Sequence, residues 1–348
     1  MLQIIKQLPK GPSTQVAKNF ARSFNRFLDS SSDQVVTIDT HYEDMRYRAA
    51  SYLLKTVNDP KDVHGLLIDN NTNNCLDTIL STIDSNGIPR TSIDYLIATH
   101  IHLDHAGCTS QLVKNLPNAT VLVHPRGARH LIDPTKLVRS ASQVYGGMEN
   151  FEKLYGKIEK IPKERVRSIN DGETLDFGGR KLKFLYTRGH AKHHMVIHDS
   201  YSNAVFAGDA FGIRYPDLCR QKPDNLAVFP SSSPIDFEPE LALKAIKDIK
   251  SLFPKRIYLT HYGLIDDVET ASKNIIEGIN NHWKILKAAK KTGLKGDMLY
   301  KWTKKRVHSW VVKFVRDKIG DDNEIDWQQL DLDIDLNSQG IAFCAEYK

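Results

Sequence analysis

The stretch Tyr95-Leu-Ile-Ala-Thr-His-Ile-His-Leu-Asp-His-Ala-Gly107 decides how the chain is read. Tyr95 to Thr99 has the character of a buried strand, and it runs directly into His100-x-His102-x-Asp104-His105, four metal-ligand side chains within six residues. Alternate residues of an extended segment point to one side, so His100 and His102 can share an ion. If the chain turns into a helix at Leu103, Asp104 and His105 swing towards a second site. Gly107 lets that first turn lie close against neighbouring backbone. Imidazole and carboxylate together suit Zn²⁺, and also Fe or Mn. A single histidine on an apolar strand is ordinarily a satisfied core or surface residue; four ligand types at this spacing are not explained that way.

The same grammar recurs three times further along. Lys181 to Thr187 alternates like a strand and leads to Arg188-Gly189-His190. Asn203 to Gly208 leads to Asp209, and Arg256 to Thr260 leads to His261. Each apolar run ends in a small residue or threonine with a potential ligand at or just beyond it. Strand ends are where α/β folds gather their chemistry. The collected set is His100, His102, Asp104, His105, His190, Asp209 and His261.

In this order, those motifs resemble the metallo-β-lactamase superfamily over roughly residues 34–270. The resemblance implies an α/β fold, a four-layered αββα sandwich with a dinuclear site at the edge between its halves. It also implies ligand roles: His100, His102 and His190 for a first metal, Asp104, His105 and His261 for a second, and Asp209 as the bridging carboxylate. The implied activity is that of a hydrolase in which a metal-bridging hydroxide attacks an ester, thioester or lactone of a small molecule. Asp104 is the candidate for carrying the proton to the leaving group. Two divalent ions are expected, with Zn as first choice.

Gly208 to Asp217, Pro234 to Glu238, Leu259 to Gly263 and the tail segment Asp335 to Gly340 look like a poorly characterised bacterial and archaeal hydrolase branch. The quinolone-signal response thioesterase and glyoxalase II are more distant in style. Some members are disfavoured. Flavodiiron proteins carry Glu where this chain has His102, and many zinc β-lactamases carry Cys at the position of Asp209. Acyl-homoserine lactonases usually place Tyr soon after the bridging Asp, where this chain reads Ala210-Phe211-Gly212. Arg188 stands where the family often has proline.

Composition adds boundaries. The 348 residues carry 48 Lys+Arg against 42 Asp+Glu, a net +6. Residues 1–28 contribute +5, residues 273–318 +10 and residues 319–348 −7, which leaves about −2 for 29–272. The basic character therefore belongs to the flanks, and it weakens a nucleic-acid reading of the centre. The expected organisation is a leader over 1–30, the hydrolase domain over 34–270 and a helical extension over 271–348. In the leader, Lys18, Arg22 and Arg26 share one helical face while Val16, Phe20, Phe24 and Phe27 share the other. Such a segment is either a mitochondrial transit address or a surface helix docked through its phenylalanines; the expected location is intracellular, mitochondrial or cytoplasmic. No apolar run approaches the roughly 18–20 residues that span a bilayer. The four cysteines form no C-x-x-C pair and read as reduced thiols.

Two rivals are carried forward. The +10 segment, with Trp283, Trp302 and Trp310 among its lysines, could serve a phosphodiesterase as a nucleic-acid arm. Against that, Ile275, Ile276, Ile279, Trp283, Leu286 and Ala289 follow a 3.6 period, which points to amphipathic helices with solvated lysines. The other rival is a metal-bound regulator with little turnover. His193, His194, Tyr215 and Tyr262 flank ligand loops, where support for the site and plain packing are both open. The remaining histidines have no ligand-like context, and oligomeric state is not legible.

Overall fold

Alternation and apolar runs lay down two sheets. The first is built from β1 (Asp29–Ser30), β2 (Val35–Asp39), β3 (Ala50–Lys55), β4 (Gly65–Ile68), β5 (Ile93–Ile97), β6 (Thr120–Val123) and β7 (Val166–Ser168), in that spatial order. The second runs β13-β12-β11-β10-β9-β8, from β8 (Thr174–Phe177), β9 (Arg180–Tyr186), β10 (Met195–Asp199), β11 (Ala204–Gly208), β12 (Arg256–Leu259) and β13 (Gly263–Ile265). The computed structural model describes residues 29–30, 34–144, 146–219, 221–222, 224–233, 235, 237–320 and 324–348. The basic leader thus lies outside the described residues, apart from Asp29 and Ser30.

β9 shows the logic at the level of single residues. Leu182 and Phe184 are buried while Lys181 and Lys183 between them are exposed, the period of two that a strand imposes. Inward-facing residues of both sheets make one core: Tyr52, Leu54, Leu66, Ile68 and Leu122 meet Phe184, Ile197, Phe206 and Tyr258. Tyr52 packs edge-on against Phe206 at 5.4 Å and Tyr258 at 5.1 Å, and its hydroxyl donates to the Leu259 carbonyl across the sandwich. Each such buried side chain is worth about 1.5–3 kcal/mol.

Helices cover both outer faces. In the first half, α1 (Leu76–Ser85), α2 (Leu103–Ala106), α3 (Thr109–Asn115), α4 (Pro125–Ile132), α5 (Thr135–Val144) and α6 (Met148–Tyr155) occupy the crossovers around β4–β7, whose neighbours pair in parallel and so need long connections. Ile79 and Ile83 of α1, Leu112 of α3 and Leu131 of α4 bury against that sheet's outer face. On the second sheet the cover is α7 (Pro239–Lys250) and α8 (Val268–Ala289): Ile246, Ile249, Ile275 and Ile279 join Val205, Ile257 and Leu259. Helices on both sides of two stacked sheets make the αββα sandwich.

The far end of α8 turns to a different task. Ile285 and Leu286 pack with Val307, Val311 and Phe314 of α9 (Gly296–Ile319) and Ile334 and Ile341 of α10 (Asp331–Tyr347). Trp283, Trp302 and Trp310 lie partly buried against this cluster, the inward aromatic packing that the 3.6 period expects. The cluster also takes in Ile213, Tyr215, Leu218 and Phe229 from the segment following β11, so the C-terminal helices sit on the loops of the sandwich. Among the described residues no helix is long and apolar enough to cross a membrane.

Candidate metal centre

β4 and β5 run parallel in one sheet, and β11 and β12 run parallel in the other. Their carboxyl ends share one edge, where backbone bonds sew the sheets together: Ala50 N–H donates to the Thr260 carbonyl and Met195 N–H to the Thr99 carbonyl, each at 2.8 Å. Asp69 ends β4, Thr99 and His100 follow β5, Asp209 follows β11 and His261 follows β12. The chain turns into α2 at Leu103, as the sequence predicts. A Cβ on Gly107 would stand 2.4 Å from the Leu103 carbonyl oxygen and 2.9 Å from that of Asn71; only glycine lets this turn pack.

All seven sequence-predicted residues meet at this edge. His100, His102 and His190 bring one ring nitrogen each within 4.8 Å of one another, and Asp104, His105 and His261 form a second such group. Asp209 lies between them, with one oxygen 3.2 Å from His105 Nε2 and the other 3.6 Å from His190 Nε2. In the second group Asp104 Oδ2 is 3.2 Å from His261 Nε2.

The outward nitrogens fix the tautomers. His190 Nδ1–H donates to the Ser231 carbonyl at 3.0 Å, and His261 Nδ1–H to the Arg48 carbonyl at 3.0 Å. His105 Nδ1–H donates to Asp69 Oδ2 at 2.8 Å. A carbonyl can only accept, so in the neutral ring Nε2 of His190 and of His261 turns a lone pair towards the centre.

These donors fit cations better than they fit one another. His102 Nδ1 is 2.9 Å from His100 Nε2 and 3.1 Å from His190 Nε2, and one N–H at most cannot serve two acceptors. Burial and the surrounding imidazoles hold His100 and His102 well below the ordinary histidine range, so both are neutral. His105 Nε2 and Asp209 Oδ1 are buried and face each other at 3.2 Å as an ion pair without the alignment of a hydrogen bond, an arrangement that a cation between them would satisfy better. Around the second group, burial opposes charging, yet the Asp209, Asp69 and Asp104 carboxylates push His105 up, and Asp209 and Asp104 do the same to His261. The all-imidazole group and the mixed imidazole and carboxylate group each offer donors of a kind that could hold a divalent metal ion.

The metallo-beta-lactamase superfamily model matches residues 59–261. The chain belongs to the metallo-beta-lactamase superfamily. As a superfamily member it is 30% identical over 178 residues to the metallo-beta-lactamase fold-containing protein ST1585 of Sulfurisphaera tokodaii, covering 50% of this chain and 62% of that protein. It is 31% identical over 111 residues to a hydroxyacylglutathione hydrolase of Synechococcus, covering 32% of each. The chain therefore spans less than two thirds of the length of these curated relatives. The crystal structure of ST1585 shares the fold at a TM-score of 0.57 and 21% identity, covering 88% of this chain and 97% of that one. The superfamily is made up mostly of hydrolases, and the donor clusters at the sheet edge are of a kind that can hold metal ions.

Several residues resolve differently from their sequence context. His194 is buried; its Nε2 accepts the Asp209 backbone N–H at 3.2 Å and its Nδ1–H donates to Thr187 Oγ1 at 2.8 Å. It braces the loop that carries Asp209. His193 Nδ1 accepts from Ile101 N–H at 3.4 Å. Tyr215 and Tyr262 are fully enclosed: Tyr215 lies 4.2 Å beneath the Arg48 guanidinium and Tyr262 meets Tyr47 edge-on, so both are packing. Sequence reasoning missed Asp69, whose carboxyl accepts from Thr99 N–H at 2.8 Å, Thr99 Oγ1, Thr260 Oγ1 at 2.7 Å and His105. The signal was available, since Asp69 follows an apolar strand as Asp209 does. Ser231 and Arg48 carried no local signal.

Proposed function

We propose that the chain is a dinuclear metal-dependent hydrolase acting on an ester, thioester or lactone bond of a small molecule. The observation that carries the proposal is Asp209, whose two carboxyl oxygens face the two three-donor groups. His100, His102 and His190 would hold one ion and Asp104, His105 and His261 the other, with Asp209 placed to serve both. Two bound divalent ions, for which Zn²⁺ suits the donors best and Fe or Mn also fit, supply an activated water and polarise a carbonyl.

The chain's own residues do the rest. Asp104 has 27% of its side chain exposed against 5% for Asp209, so it is the carboxylate that reaches the opening. Burial would raise its pKa, but His105 and His261 hold it well below the usual carboxylate range. It accepts a proton from the attacking water only transiently and passes it to the leaving oxygen or sulfur. The similarity to a hydroxyacylglutathione hydrolase supports the thioester arm. The phosphodiesterase rival is weakened, because four of the cations along α9, Lys301, Lys304, Lys313 and Lys318, pair with Asp297, Asp335, Asp317 and Glu277.

Elemental analysis coupled to a panel of thioesters, esters, lactones and phosphodiesters tests the reading. Two ions per chain and turnover of an acyl substrate are expected. His102→Ala and Asp209→Ala should lose metal and at least 100-fold in kcat/KM, while Lys304→Ala keeps wild-type turnover. Two ions retained in both ligand variants, or no hydrolysis with Zn, Mn or Fe, would sink it.

A further inference from the structure

One face of α10 lies over the anchors of the candidate metal centre. Asn337 is buried on that face. Its Oδ1 accepts the Ser232 backbone N–H at 2.9 Å and its Nδ2 donates to the Pro230 carbonyl at 3.0 Å. The side-chain amide thereby holds backbone on both sides of Ser231. Ser231 in turn makes two contacts to the centre: its carbonyl accepts from His190 Nδ1, and its hydroxyl donates to Asp209 Oδ2 at 3.0 Å.

The approach is too close to be incidental. A Cβ on Gly340, three residues further along α10, would stand 2.4 Å from the Ser233 carbonyl oxygen. One turn before Asn337, Asp333 lies 3.5 Å from the Arg48 guanidinium, and the Arg48 carbonyl receives His261 Nδ1. Residues four apart share a helix face, so a single face of α10 touches the supports of one histidine from each donor group.

We infer that Asn337 is a positioning residue for the metal centre, acting through Ser231 to aim His190 and Asp209. The inference rests on the proposed reading of those two residues as ligands. Losing either arm of the amide frees the Ser231 peptide to rotate, and the His190 ring and the Asp209 carboxyl then lose their fixed directions. Outer supports of this kind typically set metal affinity by about 10–100-fold.

The test is release of Co²⁺ from the loaded full chain to a chelator, followed by the visible spectrum of the bound ion. In Asn337→Ala, the ion next to His190 should leave about 10–100-fold faster with an altered spectrum, and the other, which shares only Asp209 with it, by a smaller factor. Ile341→Val trims buried packing on the same helix, in the apolar cluster with Val307, Val311 and Phe314, and leaves the Asn337 amide in place; at a comparable loss of unfolding midpoint it should keep both wild-type rates. Because part of the effect runs through His190, adding Asn337→Ala to His190→Ala should accelerate release by less than Asn337→Ala does in the wild-type chain. Should Asn337→Ala not fold, Asn337→Ser carries the same comparison. Wild-type release rates in Asn337→Ala, or equal acceleration in Ile341→Val, overturns the inference alone. A wild-type chain that takes up no Co²⁺ overturns the metal reading itself, and this inference with it.

Discussion

Replacing Asp69 by asparagine changes one atom and sets two effects against each other. Asp69 Oδ1 receives the Thr99 N–H, while Oδ2 receives Thr260 Oγ1 and His105 Nδ1. An asparagine that keeps its oxygen under Thr99 must point its NH₂ at His105 Nδ1, donor against donor. The imidazole then has to move its proton to Nε2, and its lone pair leaves the centre. In the metal-free chain the cost is that of one mismatched buried group, about 1–3 kcal/mol. In the loaded chain a further about 10–100-fold falls on the ion next to His105. Asp69→Ala instead strands the Thr99 N–H and His105 Nδ1–H, neither of which can rotate away, for about 2–6 kcal/mol in total. Against typical stabilities of about 5–15 kcal/mol, that places the fold itself at risk. Urea unfolding followed by tryptophan fluorescence in excess chelator gives the first number, and competition for Zn²⁺ gives the second. An Asp69→Asn chain that unfolds within about 0.5 kcal/mol of wild type and holds both ions with wild-type affinity refutes the reasoning.

Other outcomes follow from single features. His282 is buried against Trp310 and Phe237, with no hydrogen-bond partner on either nitrogen, and burial pushes it down to about 3. A base depressed in the folded state keeps its contribution above its ordinary pKa of 6.5 and loses it as pH falls from there towards 3, by up to about 5 kcal/mol. His282→Leu should flatten the acid limb of stability; parallel wild-type and variant curves between pH 7 and 4 would contradict this. At Gly189, with φ of +123°, a Cβ would lie 2.5 Å from the Ala242 backbone. Gly189→Ala should cost about 2–5 kcal/mol and displace His190, read as a lower melting temperature together with lower metal content; a neutral result would show that α7 can give way.

The site was legible where the chain writes it locally. Each run of strand residues ending in a histidine or aspartate could be read in place, and a strand fixes where its end points. What the sequence does not write is which strands lie side by side. Asp69 was passed over because its four donors come from the ends of β5 and β12 and from α2, and none is a sequence neighbour. Ser231 sits in an irregular segment with no period at all. Asn337 lies more than 100 residues beyond the two groups it holds, and an amide on a helix carries no signal of a distant partner. The lysines and tryptophans of the C-terminal flank were legible by helical period, but the loops they cover were not.

The place of α10 has a consequence for how the protein is made. The side chains that converge at the sheet edge begin at Arg48 and Asp69 and end at Asn337, so the arrangement spans most of the chain. At about 5–20 residues per second, the ribosome exposes the His100–His105 cluster on the order of ten seconds to a minute before the helix that completes its surroundings. During that interval the early histidines and carboxylates are open to any ion in the cell, and the order of metal affinities, rather than the finished geometry, governs what they pick up. If these side chains hold ions as proposed, the finished geometry acts on what they hold only once α10 has closed over Ser231.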